Sequence, residues 1–102
     1  MTYNIIFDVP APIEFYDAAH VALRDVVGTD DVGLIAHIGR ATDVGFEITE
    51  IWKSKEMFDT FNREVWPKVA AKIPGAEGME PPAGREFELR GLVITGYDDV
   101  SF

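Results

Sequence analysis

Residues 44–73, VGFEITEIWKSKEMFDTFNREVWPKVAAKI, decide the fold, because the spacing of their apolar side chains changes once, directly after Trp52. Before Trp52 the apolar residues recur at period two, which predicts a strand that Glu50 interrupts. Ser54 follows, where its hydroxyl can cap a helix. The later apolar residues recur at the spacing of one helix face: Met57, Phe58, Phe61, Val65, Trp66, Val69 and Ile73. The stretch is therefore predicted to be a strand that leads directly into one amphipathic helix.

The rest of the chain supplies three more strands and one more helix. Apolar residues predict a first strand at 3–9, which Pro10 ends, and then a helix from Ile13 that Gly28 ends. The remaining predicted segments are a second strand at 32–38, a hairpin loop at 39–45, a proline-rich loop at 74–84 and a last strand at 86–95. The order is strand, helix, strand, strand, helix, strand.

This order predicts a single α+β domain over residues 1–102, with the split β-α-β-β-α-β arrangement of ferredoxin-like folds. Right-handed crossovers would place both helices on one face of an antiparallel sheet and leave the other face open. The open face is expected to expose an apolar patch, and such a patch marks an association surface. The chain is therefore predicted to be a homodimer with its sheets face to face. The candidate patch residues are Ile5 or Ile6, Leu34 or Ile35, and Phe87 or Leu92.

Charge and composition exclude several classes of function. The chain has 9 Lys and Arg against 18 Asp and Glu, a net charge of -9, so neither a nucleic acid nor a membrane is expected as a partner. It has no cysteine, and His20 and His37 lack the spacing of metal ligands, so no metal site is predicted. The N-terminal MTYNIIFDV lacks the pattern of a secretion signal, and a cytoplasmic location is expected.

Aromatic side chains around the boundary between strand and helix are the candidates for lining a substrate pocket: Trp52, Phe58, Phe61 and Trp66. Aromatic residues at helical spacing are more often core than cavity lining, and both interpretations stay open. His37 lies in the middle of the second strand, where an imidazole is either a hydrogen-bonded structural group or a catalytic base. Glu50 is interpreted as a residue at a sheet edge or in a dimer contact.

Three segments carry a resemblance to a known family: GLIAHIG at 33–39, GFEITEIWKS at 45–54 and EMFDTFNREVWPKVAAKI at 56–73. They resemble the antibiotic biosynthesis monooxygenase superfamily, in which a strand ending in tryptophan is followed by serine and an aromatic-rich helix. The resemblance implies a dimeric α/β barrel with a hydrophobic pocket in each subunit. It also implies oxidation of electron-rich aromatic polyketides or quinols by molecular oxygen, without metal or flavin.

One branch of that superfamily degrades haem, with an asparagine on the first strand and a tryptophan and a histidine on the second helix. Asn4 matches the asparagine and is therefore a further candidate pocket residue. Phe61 stands at the tryptophan position and Ala71 at the histidine position. Since alanine cannot ligate iron, haem is not expected, and no cofactor is predicted.

Two functions of different classes are compatible with the sequence. The first is a cofactor-independent monooxygenase or oxidase that binds a small aromatic or quinol-type substrate, with His37 as the catalytic base. The second is a non-catalytic homodimeric module that binds a small hydrophobic ligand or is only structural, in which the aromatic residues are core. The two differ in whether Trp52, Phe61 and Trp66 line a cavity or fill it.

Overall fold

The fold is an antiparallel sheet of four strands with its helices packed on one face. The computed structural model describes residues 2–76 and 82–96. The strand order is β2-β3-β1-β4, which is the order of a ferredoxin-like domain and confirms the predicted α+β class. The elements are β1 Tyr3–Val9, α1 Ile13–Val27, β2 Leu34–Thr42, β3 Gly45–Trp52, α2 Lys55–Glu64, α3 Trp66–Ala70 and β4 Gly84–Glu86.

The first strand and the first helix have the predicted bounds, because local signals fix both ends of each. Helix α1 ends where Gly28 adopts a φ of 58°, in the left-handed region that glycine enters without a steric penalty. The Gly28 N–H donates to the carbonyl of Arg24 at 2.8 Å and so satisfies a carbonyl of the last turn.

The predicted hairpin loop at 39–45 is wrong, because strand pairing continues almost to the tip of the hairpin. Strand β2 runs to Thr42 and β3 begins at Gly45, and these two residues are paired in the register. A cross-strand ion pair joins this part of the hairpin, since Arg40 Nε donates to Glu47 Oε1 at 3.1 Å. Strand β2 also begins two residues later than predicted, at Leu34.

The predicted single helix after Ser54 is divided at Val65 into α2 and α3. Its start is confirmed, because Ser54 Oγ accepts a hydrogen bond from the Met57 N–H at 3.1 Å. Its interior contains Pro67, which has no N–H to donate and whose ring clashes with the preceding turn of a helix. A new helix therefore starts at Trp66, with the proline in its first turn.

The predicted last strand at 86–95 is wrong except at its first residue: β4 comprises Gly84–Glu86, and no strand is assigned to residues 87–96. In the register with β1, Glu86 lies opposite Ile5, and the Phe87 N–H donates to the carbonyl of Asn4 at 3.2 Å. Beyond that point β1 has only Tyr3 left as a pairing residue, and within the described residues the alternating pattern that continues to residue 95 is not paired with another strand. In the predicted loop at 74–84, residues 77–81 lie outside the described part of the chain.

Helices α1 and α2 pack on the same face of the sheet, as the handedness of the crossovers predicts. Phe46 of β3 stacks against Phe15 of α1 with ring centroids 6.4 Å apart, and Trp52 of the same strand contacts Phe61 of α2 at 5.1 Å. Alternation along β3 then places Glu47, Thr49 and Ile51 on the open face. The buried apolar residues are Ile5, Ala22, Phe46, Ile51, Trp52, Phe61, Val69 and Ile73.

The open face is part apolar and part charged. Of the patch candidates, Ile6 lies on this face opposite Thr49, whereas Ile5 faces the helices and is buried. Ile38 of β2 lies on the same face, opposite Thr49 on the other side of β3, and 55% of its surface is accessible. Towards the hairpin end a charged row crosses all four strands, formed by Arg40, Glu47, Asp8 and Arg85.

Candidate functional site

His37 lies in β2 on the face of the sheet that carries the helices, directly opposite Glu50 of β3. Its Nδ1 atom is 2.9 Å from Glu50 Oε2, and the accessible fractions of the two side chains are 15% and 13%. Within the described part of the chain, Glu50 is the hydrogen-bond partner of the His37 ring. The imidazole is therefore held by a carboxylate in a site largely closed to water.

Glu50 bridges two groups, because its second oxygen accepts a hydrogen bond from the indole N–H of Trp52 at 3.1 Å. The interpretation of Glu50 as an edge or dimer-contact residue is wrong, since β3 lies between β2 and β1 and the side chain points towards the helices. A sequence signal for this role did exist. Glu50 interrupts an otherwise apolar face, and a carboxylate in that position needs a donor.

Tyr16 of α1 covers the His37 ring. The two rings are nearly parallel, with an interplanar angle of 12° and centroids 5.7 Å apart. Gly39 makes the room for this contact, since a Cβ there would lie 2.1 Å from the Tyr16 ring. One helical turn further on, His20 has its ring 6.4 Å from that of His37, and its Nδ1 atom is 3.4 Å from the Tyr16 hydroxyl. The spacing of residues in the sequence does not indicate that Tyr16 is a neighbour of His37.

The predicted aromatic set is only partly brought together. Trp52 contacts both Phe58 and Phe61, at 5.6 Å and 5.1 Å between ring centroids. Trp66 has no ring contact with them among the described residues and is 40% exposed at the start of α3. Asn4 is buried on the opposite face of the sheet, where its Nδ2 donates to the Phe87 carbonyl at 3.1 Å. Asn4 Oδ1 has no hydrogen-bond partner within the described residues.

Tyr3 closes the other side of the aromatic cluster, with its ring 5.0 Å from that of Phe58. Burial and the neighbouring Glu86 carboxylate raise the pKa of the Tyr3 phenol to about 12. At neutral pH this hydroxyl therefore stays protonated, so that it can donate a hydrogen bond but cannot accept a proton as a base.

In the described ranges, 2–76 and 82–96, no three His, Asp or Glu side chains are grouped as metal ligands. None of the helices within these ranges combines the length and the apolar content that crossing a bilayer requires.

No protein-family model matches this chain, and no curated protein matches it. Among solved structures it is similar to a monooxygenase from the gene ActVA-Orf6 of Streptomyces coelicolor, solved in complex with nanaomycin D. The similarity covers 93% of this chain and 91% of that chain, at 18% sequence identity and a TM-score of 0.45.

Proposed function

We propose that this chain is a cofactor-independent monooxygenase or oxidase acting on a small aromatic phenol, enol or quinol. The observation that carries the proposal is the carboxylate-bound imidazole of His37, which lies on the inner face of the sheet and stacks against the ring of Tyr16. Imidazole is the side chain that enzymes use most often as a general base, and it can remove a proton from an acidic substrate hydroxyl. The resulting anion is electron-rich enough to react with oxygen.

The reaction balances without a cofactor, because the substrate supplies both the electrons and the hydrogen atoms. For an anthrone in its enol form, His37 accepts the hydroxyl proton and the electron pair of the O–H bond stays on the substrate. The anion transfers one electron to molecular oxygen, and the radical pair then combines to a peroxide at the ring carbon. The peroxide anion takes the proton back from His37, and cleavage of the O–O bond with loss of the hydrogen on the same carbon releases water and leaves a carbonyl. One oxygen atom thus enters the product and the other leaves as water.

Phe58, which is only partly buried, is proposed to contact and orient the substrate ring, while the buried rings of Trp52 and Phe61 support it from the core. Positioning of this kind lowers the entropic part of the barrier, and an apolar wall excludes water from the anion. We assign no part in this step to Trp66, which is exposed, or to Asn4, which lies on the opposite face of the sheet.

Oxygen uptake by the wild-type protein tests the proposal. We expect enzyme-dependent consumption of oxygen with at least one compound in a panel of anthrones, naphthols and quinols. The rate should be proportional to protein concentration and unchanged by a metal chelator. A protein that is inert towards the whole panel would exclude this function.

The alternative is a non-catalytic homodimeric module that binds a small ligand or has only a structural role. The close packing of the aromatic rings favours it, because Trp52 is 1% exposed and Phe61 6% exposed, and the two rings are in contact. In this case the hydrogen bond between His37 and Glu50 only stabilises the fold, and His37 has no catalytic role. The alternative predicts no oxygen uptake in the wild type and a loss of stability when His37 is replaced.

We also propose that the protein is a homodimer in which the open sheet faces meet. Its support is the exposed Ile38, together with Ile6 on a face that carries neither helix. Sedimentation equilibrium at micromolar concentration should give twice the chain mass of 11.3 kDa. The variant Ile38→Lys should be monomeric, because a charge in the middle of the interface would be desolvated without a partner.

Val21→Lys is the matched control for the dimer. Val21 is 64% exposed on α1, away from the open face, and the substitution changes the net charge by the same amount. A monomeric wild type, or dissociation by both variants, would contradict an interface on the open face.

A further inference from the structure

We propose that the Glu50 carboxylate, oriented by Trp52, fixes the tautomer of His37, so that its Nε2 atom is the one that accepts the substrate proton. The inference rests on the proposed function in so far as it takes His37 to be the base. It rests independently on the hydrogen-bond geometry of three side chains. Glu50 is a positioning residue here, since it contacts His37 and not the substrate.

The indole N–H of Trp52 can donate a hydrogen bond but cannot accept one. Trp52 is 1% exposed, so water cannot replace the partner of this N–H. Glu50 Oε1 lies 3.1 Å from it and accepts the bond. Whatever side chain stands at position 50 must therefore present an acceptor atom to the indole.

The other oxygen of Glu50, Oε2, lies 2.9 Å from His37 Nδ1. An ionised carboxylate only accepts hydrogen bonds, so the nitrogen that faces it must carry the hydrogen. In the neutral imidazole the proton is thus on Nδ1, and the lone pair is on Nε2. The neighbouring Tyr16 ring, parallel to the imidazole within 12°, helps to hold the plane in which this lone pair points.

In the reaction, Nε2 is therefore the ring nitrogen that can accept a proton. When the substrate O–H bond breaks, the electron pair stays on the substrate oxygen and a new N–H bond forms at Nε2. The imidazolium produced keeps its Nδ1–H bond to the Glu50 carboxylate, which stabilises the new positive charge. Trp52 keeps the carboxylate from turning away.

The substitution Glu50→Gln tests this arrangement, because a glutamine side chain has one accepting and one donating end. The indole of Trp52 requires the acceptor, so the amide oxygen should face Trp52 and the amide NH2 should face His37. Nδ1 must then accept, which moves the ring proton to Nε2 and removes the base. We expect the opposite tautomer in this variant and a fall in kcat of at least about tenfold, with KM little changed.

The tautomer is measured by long-range nitrogen-proton NMR on protein labelled with ¹⁵N-histidine, which distinguishes protonated from unprotonated ring nitrogens. Replacement of His20 identifies the His37 signals. The wild type should show Nδ1 protonated, and that measurement depends on no substitution at position 50. Glu47→Gln is the matched control, since it is the same change in the same strand on the opposite face. It should leave the His37 tautomer unchanged.

Trp52→Phe is the second control, because it removes one hydrogen bond from the cluster but keeps the carboxylate. Its His37 should stay protonated on Nδ1. Protonation of wild-type His37 on Nε2, or an unchanged tautomer in a folded Glu50→Gln variant, would overturn the inference. If the tautomer switches as expected but the wild type consumes no oxygen, the tautomer assignment stands and only the proposed function fails.

Discussion

His37→Ala is expected to lower the turnover number for oxygen uptake by roughly a hundredfold to ten-thousandfold, the range that a general base supplies. The affinity for the aromatic substrate should change little, because the proposed contact with the partly buried Phe58 ring does not involve His37. The measurement is kcat from oxygen uptake, together with Kd from ligand titration of the same preparation. A parallel loss of affinity and turnover would indicate a general collapse of the pocket and contradict a role as base.

The same substitution has a structural cost that must be separated from the catalytic one. It leaves one oxygen of the partly buried Glu50 without its partner, which typically costs about 1–3 kcal/mol of stability. Added imidazole should restore part of the activity of His37→Ala if the ring acts as a base, and should have no such effect if the ring is only structural. Arg40→Ala is the control in the same strand, because that side chain is 64% exposed on the open face. It should retain wild-type turnover.

Local signals in the sequence were sufficient for the elements whose ends depend on one or two residues. Pro10 ends β1, Gly28 ends α1, and the Ser54 hydroxyl caps α2. In each case the backbone requirement of a single residue determines the boundary, and no distant contact is needed.

Boundaries that depend on a partner strand could not be predicted in the same way. The length of β2 follows from its pairing with β3 up to Thr42, and β4 stops because β1 offers almost no residue beyond Asn4 to pair with. The apolar alternation in 88–95 is the same whether or not a neighbouring strand exists. The register of a sheet is thus a tertiary property, and strand ends follow from it.

The same limit applies to the candidate site. His37 was identified from its residue type, but the role of Glu50 depends on the register that sets these two residues opposite each other. That register contains an irregularity between Leu34 and Ala36, which shifts the pairing of every later residue in β2. A pattern of apolar residues does not indicate where such a bulge occurs, and so the pair of His37 with Glu50 was missed.

Trp52→Ala is expected to lower the free energy of unfolding by about 3–5 kcal/mol, the usual cost of removing a buried large aromatic side chain. Trp52 is almost completely buried between the sheet and α2, so its loss leaves a cavity against Phe58 and Phe61. It also removes the indole hydrogen bond to Glu50. Urea unfolding followed by circular dichroism gives the change. All variants need the same protein concentration, because the stability of a dimer depends on concentration.

Trp66→Ala is the matched control, since it is the same change at the chain's other tryptophan. Both residues belong to the stretch that decides the fold, and the apolar pattern does not distinguish them. Val65 interrupts the helix just before Trp66, and that side chain remains 40% exposed at the start of α3. Its replacement should therefore cost only about 1 kcal/mol or less, the ordinary effect of a partly exposed position. Equal losses from the two substitutions would contradict the unequal burial of the two rings, and with it the assignment of Trp52 as the residue on which the Glu50 carboxylate depends.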